Sequence, residues 1–326
     1  MTRKAIIGSI RAAALSGSFF LAGGAVPLVG FIAMMFAPAP ILVFAAGRPA
    51  AILRAAASVV VAAILVTVLS SIPSGFGTGA VTGANYIATF GVGTMVMTWM
   101  IERRYQFETI LLAAAGAMVV TTAVLALAMA GGPAALVKAM QNELAAGMAR
   151  GQEMYRMVGL QNAVPPEAQS EVLDLIVRLS PALAAMLAAL SVLLNLRVFW
   201  RWAGKQRLAY VLFGDLVRWS APDWLIWGLI ATGFGMLAPV APISDIALNG
   251  FLCVALVYFC QGLAIMGFYF QALSVPPIVR AVIYFITIVQ PVVSLVVCLA
   301  GIFDMWIDFR RLKPPSQEAG NYGDFL

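Results

Sequence analysis

Two acids stand one helical turn apart at the end of the last long apolar stretch of this chain, in GIFDMWIDFRRLKPP (residues 301–315). Asp304 and Asp308 could serve as a proton or ion site if they faced a buried cavity, since an acid within a membrane is costly and usually tied to a task. They could equally mark the place where a helix leaves the bilayer. The i, i+4 spacing sets both on one helical face, and Arg311 lies within reach of Asp308 at i+3. Phe303, Trp306 and Phe309 stand beside them and Arg310 and Arg311 follow at once, a mixture that favours headgroup depth. The expectation is a membrane-exit anchor or partner contact made by Asp304, Asp308, Trp306, Arg310 and Arg311, with both acids meeting water.

Other residues with chemical capacity are few. The chain has no histidine, which removes the commonest general base, the Ser-His-Asp arrangement and the usual zinc ligand. The three cysteines, Cys253, Cys260 and Cys298, lie inside apolar runs without CxxC spacing and read as small hydrophobes. No P-loop, dinucleotide fingerprint or carboxylate cluster with metal spacing occurs, so no cofactor, no metal site and no enzyme activity are expected.

Asn85, Asn249, Gln261 and Gln290 interrupt apolar runs. They are the candidates for a small-molecule pocket between helices, against the plainer reading of interhelical hydrogen bonds. Asn195 and Asp245 are similarly placed. GFGTGAVTGANYIATFGVG (75–93) is rich in glycine, and close helix packing explains it better than a phosphate cradle. Ala13 and Gly17, with Ala14 and Ser18, give the opening helix small faces suited to contact with another helix, of this chain or of a partner. Arg197 and Arg201 in RVFWRWAGKQR form a cationic face beside Trp200 and Trp202, an interfacial anchor or a dock for an acidic partner.

The elements that must carry these residues follow from composition. Hydrophobic residues make up 62% of the chain and charged residues 10%, mean hydropathy is +0.96, and a soluble domain usually carries about 25% charge. Uncharged runs cover 12–47, 55–101, 109–137, 224–244, 246–279 and 281–303. The fold expected is all-α, a polytopic helical membrane protein with about eight or nine transmembrane helices of roughly 20 residues each. Spans are placed near 6–23, 28–46, 50–70, 80–101, 108–130, 172–196, 222–238, 245–270 and 278–304. Gln290-Pro291 falls within the last of these and could break it or make it re-entrant. Leu136, Met140, Leu144 and Met148 recur every four residues and predict an amphipathic helix on the bilayer surface. Residues 1–131 thus form a five-span part, 132–171 an extracytoplasmic helix and loop, 172–309 the remaining spans and 310–326 a polar tail.

The net charge of +6 comes from short clusters between runs, which is a topology signal and not a surface for nucleic acid. With the N-terminus cytoplasmic, the inside segments hold Arg48, Arg54, Arg103, Arg104, Arg197, Arg201, Lys205 and Arg207, and 132–171 lies outside. Arg310, Arg311 and Lys313 would fall outside after nine crossings, against the rule.

WSAPDWLIWGLI (219–230), FCQGLAIMGFYFQAL (259–273) and LAGIFDMWIDFRRL (299–312) resemble the YybS-like family of bacterial integral membrane proteins of unknown function. PLVGFIAMMFAPAPILVFAAGRPAAILRAA and TFGVGTMVMTWMIERRYQFETILLAAAGAM in the first half resemble it too. That family is distantly similar to the S-components of energy-coupling-factor transporters, which the first six spans would match, and to the cell-shape protein MreD. The resemblance implies a multi-pass protein of the bacterial cytoplasmic membrane. Its partners would be the lipid bilayer, a small-molecule ligand and a separate energising or envelope membrane protein. A binding or transport subunit is the first functional expectation and a non-enzymatic scaffold for envelope or division machinery the second.

Overall fold

A computed structural model describes residues 3–25, 29–157, 166–203 and 217–311. Lys205, Arg207 and Lys313, used above for topology, lie outside the described residues. The chain divides into two compact units, 1–213 and 214–326, so the boundary between them falls inside the stretch 172–309.

The first unit runs α1 (Arg3–Ala25), α2 (Val29–Met35), α3 (Pro38–Ala45), α4 (Ala51–Ser74) and α5 (Phe76–Tyr86). A π turn (Ile87–Gly91) then leads to α6 (Val92–Glu102), α7 (Phe107–Ala130), α8 (Pro133–Met157) and α9 (Pro166–Ala203). The second unit holds α10 (Leu225–Gly235), α11 (Ala241–Ala272), α12 (Pro277–Val289) and α13 (Pro291–Ile307). The protein is all-α among the described residues and is a polytopic helical membrane protein.

Among the described residues, five helices are each long and apolar enough to cross a membrane, or six if the bent pair α12–α13 is one span. The segment 28–46 is not one continuous helix, because Pro38 withholds an N–H donor and splits it into α2, of 7 residues, and α3, of 8. α10 has only 11 residues, or roughly 16 Å at about 1.5 Å per residue. The 80–101 segment reaches spanning length only with its π turn included. Tyr86, Ile87, Gly91 and Val92 all keep right-handed helical dihedrals, so α5, the π turn and α6 form one continuous rod. α12 and α13 bend by 101° at Gln290-Pro291, where proline again cannot donate.

Glycines set how closely the first unit packs. A Cβ on Gly79 would come within 2.5 Å of the Thr67 carbonyl oxygen, and one on Gly83 would overlap the Thr67 hydroxyl. α5 therefore lies almost backbone to backbone on α4. On α1, Ala13 and Gly17 are buried while Ala14 and Ser18 are exposed. Gly17 faces Val66 and Ala62, so the helix its small face meets is α4 of this chain.

α8 begins after Gly131, whose φ of +80° makes the turn out of α7. Leu136, Met140, Leu144 and Met148 form its half-buried side, and α8 packs against α7 and α9. Gln141 donates to Asp174 at 2.9 Å. The stripe thus has a protein surface to cover, which a helix lying on lipid alone would not have. α9 has 38 residues, about 57 Å against a hydrocarbon core of about 30 Å, so part of it must project beyond the core.

Candidate functional site

Among the described residues, three polar constellations within these apolar helices bear on function, and one need shapes them. A backbone carbonyl or side-chain amide cut off from water must find a partner inside the protein.

The first repairs the break between α2 and α3. Ala39 N–H turns to Phe36 O, which leaves Met35 O without its helical donor. Ser191 Oγ and Asn195 Nδ2, from α9, both donate to Met35 O at 2.8 Å. Ser16 Oγ from α1 donates to Ala37 O at 2.6 Å. Since Ser16 has spent its single proton there, Tyr86 OH, 2.7 Å away, is the donor in that pair. All four side chains are buried. Asn195 Nδ2 also donates to Ser191 O, and its Oδ1 is buried with no partner. The group holds a helix break in place.

The second lies in the second unit and is charged. Asp304 Oδ2 accepts from Arg310 Nη2 at 2.7 Å and from Gln261 Nε2 at 3.0 Å, while Oδ1 accepts from Phe309 N–H at 3.0 Å. Arg310 Nη1 donates to Val217 O and Trp219 O, both at 2.8 Å, and Gln261 Oε1 accepts from Ala221 N–H. The side chains of Arg310 and Asp304 are 0% and 4% exposed. Gly262 and Gly301 allow this approach: a Cβ on Gly301 would overlap the Tyr258 carbonyl oxygen, and one on Gly262 would overlap that of Val297. α11 and α13 therefore cross at backbone contact, with Gln261 and Asp304 meeting beside the crossing.

This arrangement corrects the expected exposed acid pair. α13 ends at Ile307, and Asp308 takes up left-handed dihedrals (φ 48°, ψ 59°) as its cap. The i, i+4 rule applies only while the helix continues, so Asp304 and Asp308 do not share a face. The reversal brings Arg310 back onto Asp304. Trp306, 62% exposed, and Arg311, also exposed, do point outward.

The third constellation is a shallow lateral groove between α5 and α7, lined by Val81, Thr82, Asn85, Thr122, Leu125, Ala126 and Met129. The π turn sits at its inner end. A π turn displaces one carbonyl from the helical ladder, and Thr121 Oγ1 of α7 donates to Ala88 O, fixing the two helices at that level. Thr122 Oγ1 donates to Thr89 Oγ1, and Thr89 Oγ1 donates to Asn85 Oδ1, each at 3.2 Å. Both hydroxyl protons thus run toward the amide oxygen. Asn85 is exposed on the outer side of α5, and Nδ2 makes no hydrogen bond among the described residues.

The four candidate ligand residues divide between the units, Asn85 in the first and Asn249, Gln261 and Gln290 in the second. Asn85 lies in the groove of the first unit and Gln261 is engaged in the ionic cluster of the second. Asn249 Nδ2 donates to Asp245 O one turn back, and Gln290 is exposed at the α12–α13 bend. Arg197 and Arg201 are exposed, with Arg197 4.7 Å over the Trp200 ring. Ser16, Tyr86, Ser191, Thr121 and Thr122 were not singled out from sequence. Ser191 four residues before Asn195 offered a signal, being on the same helical face.

Compared with known proteins, the chain matches the family described as "Predicted membrane protein (DUF2232)" over residues 14–305, and it belongs to that family. Neither a curated protein nor a solved structure matches it.

Proposed function

We propose that this member of the DUF2232 family is a small-molecule-binding subunit of the membrane, with the groove between α5 and α7 as its binding site. The observation that carries this reading is the Asn85 amide, which presents unused N–H donors from an exposed position on an apolar helix. The α5–π–α6 rod runs from Phe76 to Glu102, about 40 Å, so Asn85 lies roughly 14 Å from its start and within the hydrocarbon depth. A polar group there is costly unless it faces a partner or a cavity. A bound ligand supplies the missing partner.

The role assigned is binding, with no chemical step on the ligand. Resemblance to YybS-like proteins and to S-components points the same way, with a separate energising membrane protein as the partner if the ligand is moved. In the orientation expected from charge, with a cytoplasmic N-terminus in a bacterial inner membrane, the groove opens toward the extracytoplasmic end of α7.

A second reading is a membrane scaffold for envelope machinery. It is favoured by the α8–α9 pair, where Glu143, Arg150 and Glu171 are exposed on a hairpin suited to docking a protein outside the bilayer. Native mass spectrometry of the protein in mild detergent separates the two. The binding reading expects a retained small molecule that is lost when Ala126→Trp fills the groove. Retention indifferent to Ala126→Trp, or envelope proteins co-purifying with an empty chain, would overturn it.

A further inference from the structure

We infer that the ligand of the α5–α7 groove is an electrically neutral amphiphile that presents a carbonyl oxygen to Asn85. This inference rests on the groove being a binding site, as proposed above, and adds the chemistry of what binds. Three observations carry it. First, all seven lining residues, Val81, Thr82, Asn85, Thr122, Leu125, Ala126 and Met129, are uncharged. An ionised ligand group held there would lose its hydration without gaining a counter-charge. Second, the direction of the hydrogen bonds is fixed. The Thr122 to Thr89 to Asn85 Oδ1 relay uses the amide oxygen as an acceptor, and Thr82 Oγ1 is committed to Thr78 O at 2.9 Å. The donors left over in the groove are the pair of N–H groups on Asn85 Nδ2, and a ligand that offers an acceptor is the one that satisfies them. Third, the polarity is graded along the groove. Thr122 lies eight residues before the end of α7 at Ala130, about 12 Å in, while Leu125, Ala126 and Met129 lie nearer that end. The polar end of the ligand sits beside the π turn and its apolar body lies along α7, open to the acyl chains. An ester carbonyl of a glyceride and a ring carbonyl of a quinone both satisfy this description.

The test uses the full chain in nanodiscs of neutral phospholipid. Three photoactivatable diazirine probes are supplied at equal mole fraction: a diacylglycerol, an alkyl quinone and an ionised fatty acid. One or both carbonyl probes should label peptides covering 81–89 and 122–129, and which one labels identifies the source. The fatty acid should label them no more than it labels lipid-facing α13. Asn85→Leu and the near-isosteric Asn85→Asp should each lower carbonyl-probe labelling about three- to tenfold, as expected for one lost hydrogen bond. Melting temperature, measured alongside, confirms that each variant is folded. Labelling equal in the wild type and both folded variants, or fatty-acid labelling as strong as that by the carbonyl probes, overturns the inference and leaves groove binding standing. Groove peptides that label with no probe and instead crosslink to another protein chain overturn both.

Discussion

The two units of the molecule solve one problem in opposite ways. Each must place polar atoms inside apolar helices, and the first unit does so with neutral groups while the second uses a full ion pair. In the second unit every oxygen of Asp304 has a donor, and both amide atoms of Gln261 are engaged. A buried ion pair needs its charges this closely matched, because the desolvation of each partner rivals their attraction; Arg310 Nε is the one atom of the pair buried without a partner among the described residues. In the first unit, the neutral side chains leave hydrogen-bonding capacity over, at Asn195 Oδ1 within the core and at Asn85 Nδ2 on the surface. A neutral leftover costs far less than an unpaired charge. The ionic cluster is thus part of the architecture, and the neutral ladders are where a ligand can add something.

The largest effect should follow from breaking the ion pair. Arg310→Met leaves Asp304 buried beside Gln261 with its counter-charge gone, a loss of about 3–5 kcal/mol by the usual cost of such breaks. Chemical denaturation in detergent should show it, with hydrogen exchange locating the damage in α11 and α13. The pair Asp304→Leu with Arg310→Met should recover most of the loss, as paired apolar replacements of buried ion pairs often do. If the single variant is as stable as the wild type, the cluster is not what holds this unit together. Next in size is Gly301→Val, which forces α13 away from the Tyr258 carbonyl and should cost about 1–3 kcal/mol as an overpacked contact. Because the same crossing seats Gln261 against Asp304, this variant and Arg310→Met should be non-additive in a double-mutant cycle.

Much of this is legible in the amino-acid sequence. The all-helical membrane class follows from the length and emptiness of the uncharged runs, and Gln290-Pro291 announced the bend between α12 and α13. The stretches FCQGLAIMGFYFQAL and LAGIFDMWIDFRRL turn out to touch, through Gln261 with Asp304 and Gly262 with Gly301. What failed did so for local reasons. Pro38 is readable as a breaker within FAPAPIL, yet apolarity alone suggests one unbroken helix through it. Asp304 was misjudged because the helical spacing was extended one residue past the helix end. The π turn is not legible in the sequence, since Gly91 of IATFG is one of many glycines in 75–93 and the stabilising donor, Thr121, lies 33 residues from Ala88.

A smaller effect is expected from the helix break in the first unit. Ser191→Ala with Asn195→Leu removes both side-chain donors to Met35 O and strands a buried carbonyl, which costs about 1–3 kcal/mol. The loss should appear as faster hydrogen exchange in α2 and α3, with α11 and α13 unchanged, since the ion pair belongs to the other unit. Damage of equal size in both units would mean that they do not respond independently, and the contrast drawn between them would lose its footing.

The smallest effect on stability should come from Asn85→Leu, and that smallness is informative. Asn85 and Asn195 are the same residue type, both in apolar helices of one unit. Asn195 donates to two buried backbone carbonyls, Met35 O beside Ser191 and Ser191 O, so its loss exposes a deficit in the fold. Asn85 only accepts, and from a threonine, so replacing it leaves no carbonyl stranded and removes an amide that faces hydrocarbon. Without ligand, Asn85→Leu should therefore stay within about 0.5 kcal/mol of the wild type, the range usual for surface changes, or be slightly more stable. With the carbonyl probe present, the wild type should be stabilised by binding and the variant much less so, in proportion to its weaker binding. Parallel melting curves with and without the diacylglycerol and quinone probes would display this crossing. A large loss of stability in the unliganded variant would place Asn85 with Asn195, among the residues that hold the helices together, and the groove would lose its claim to a ligand.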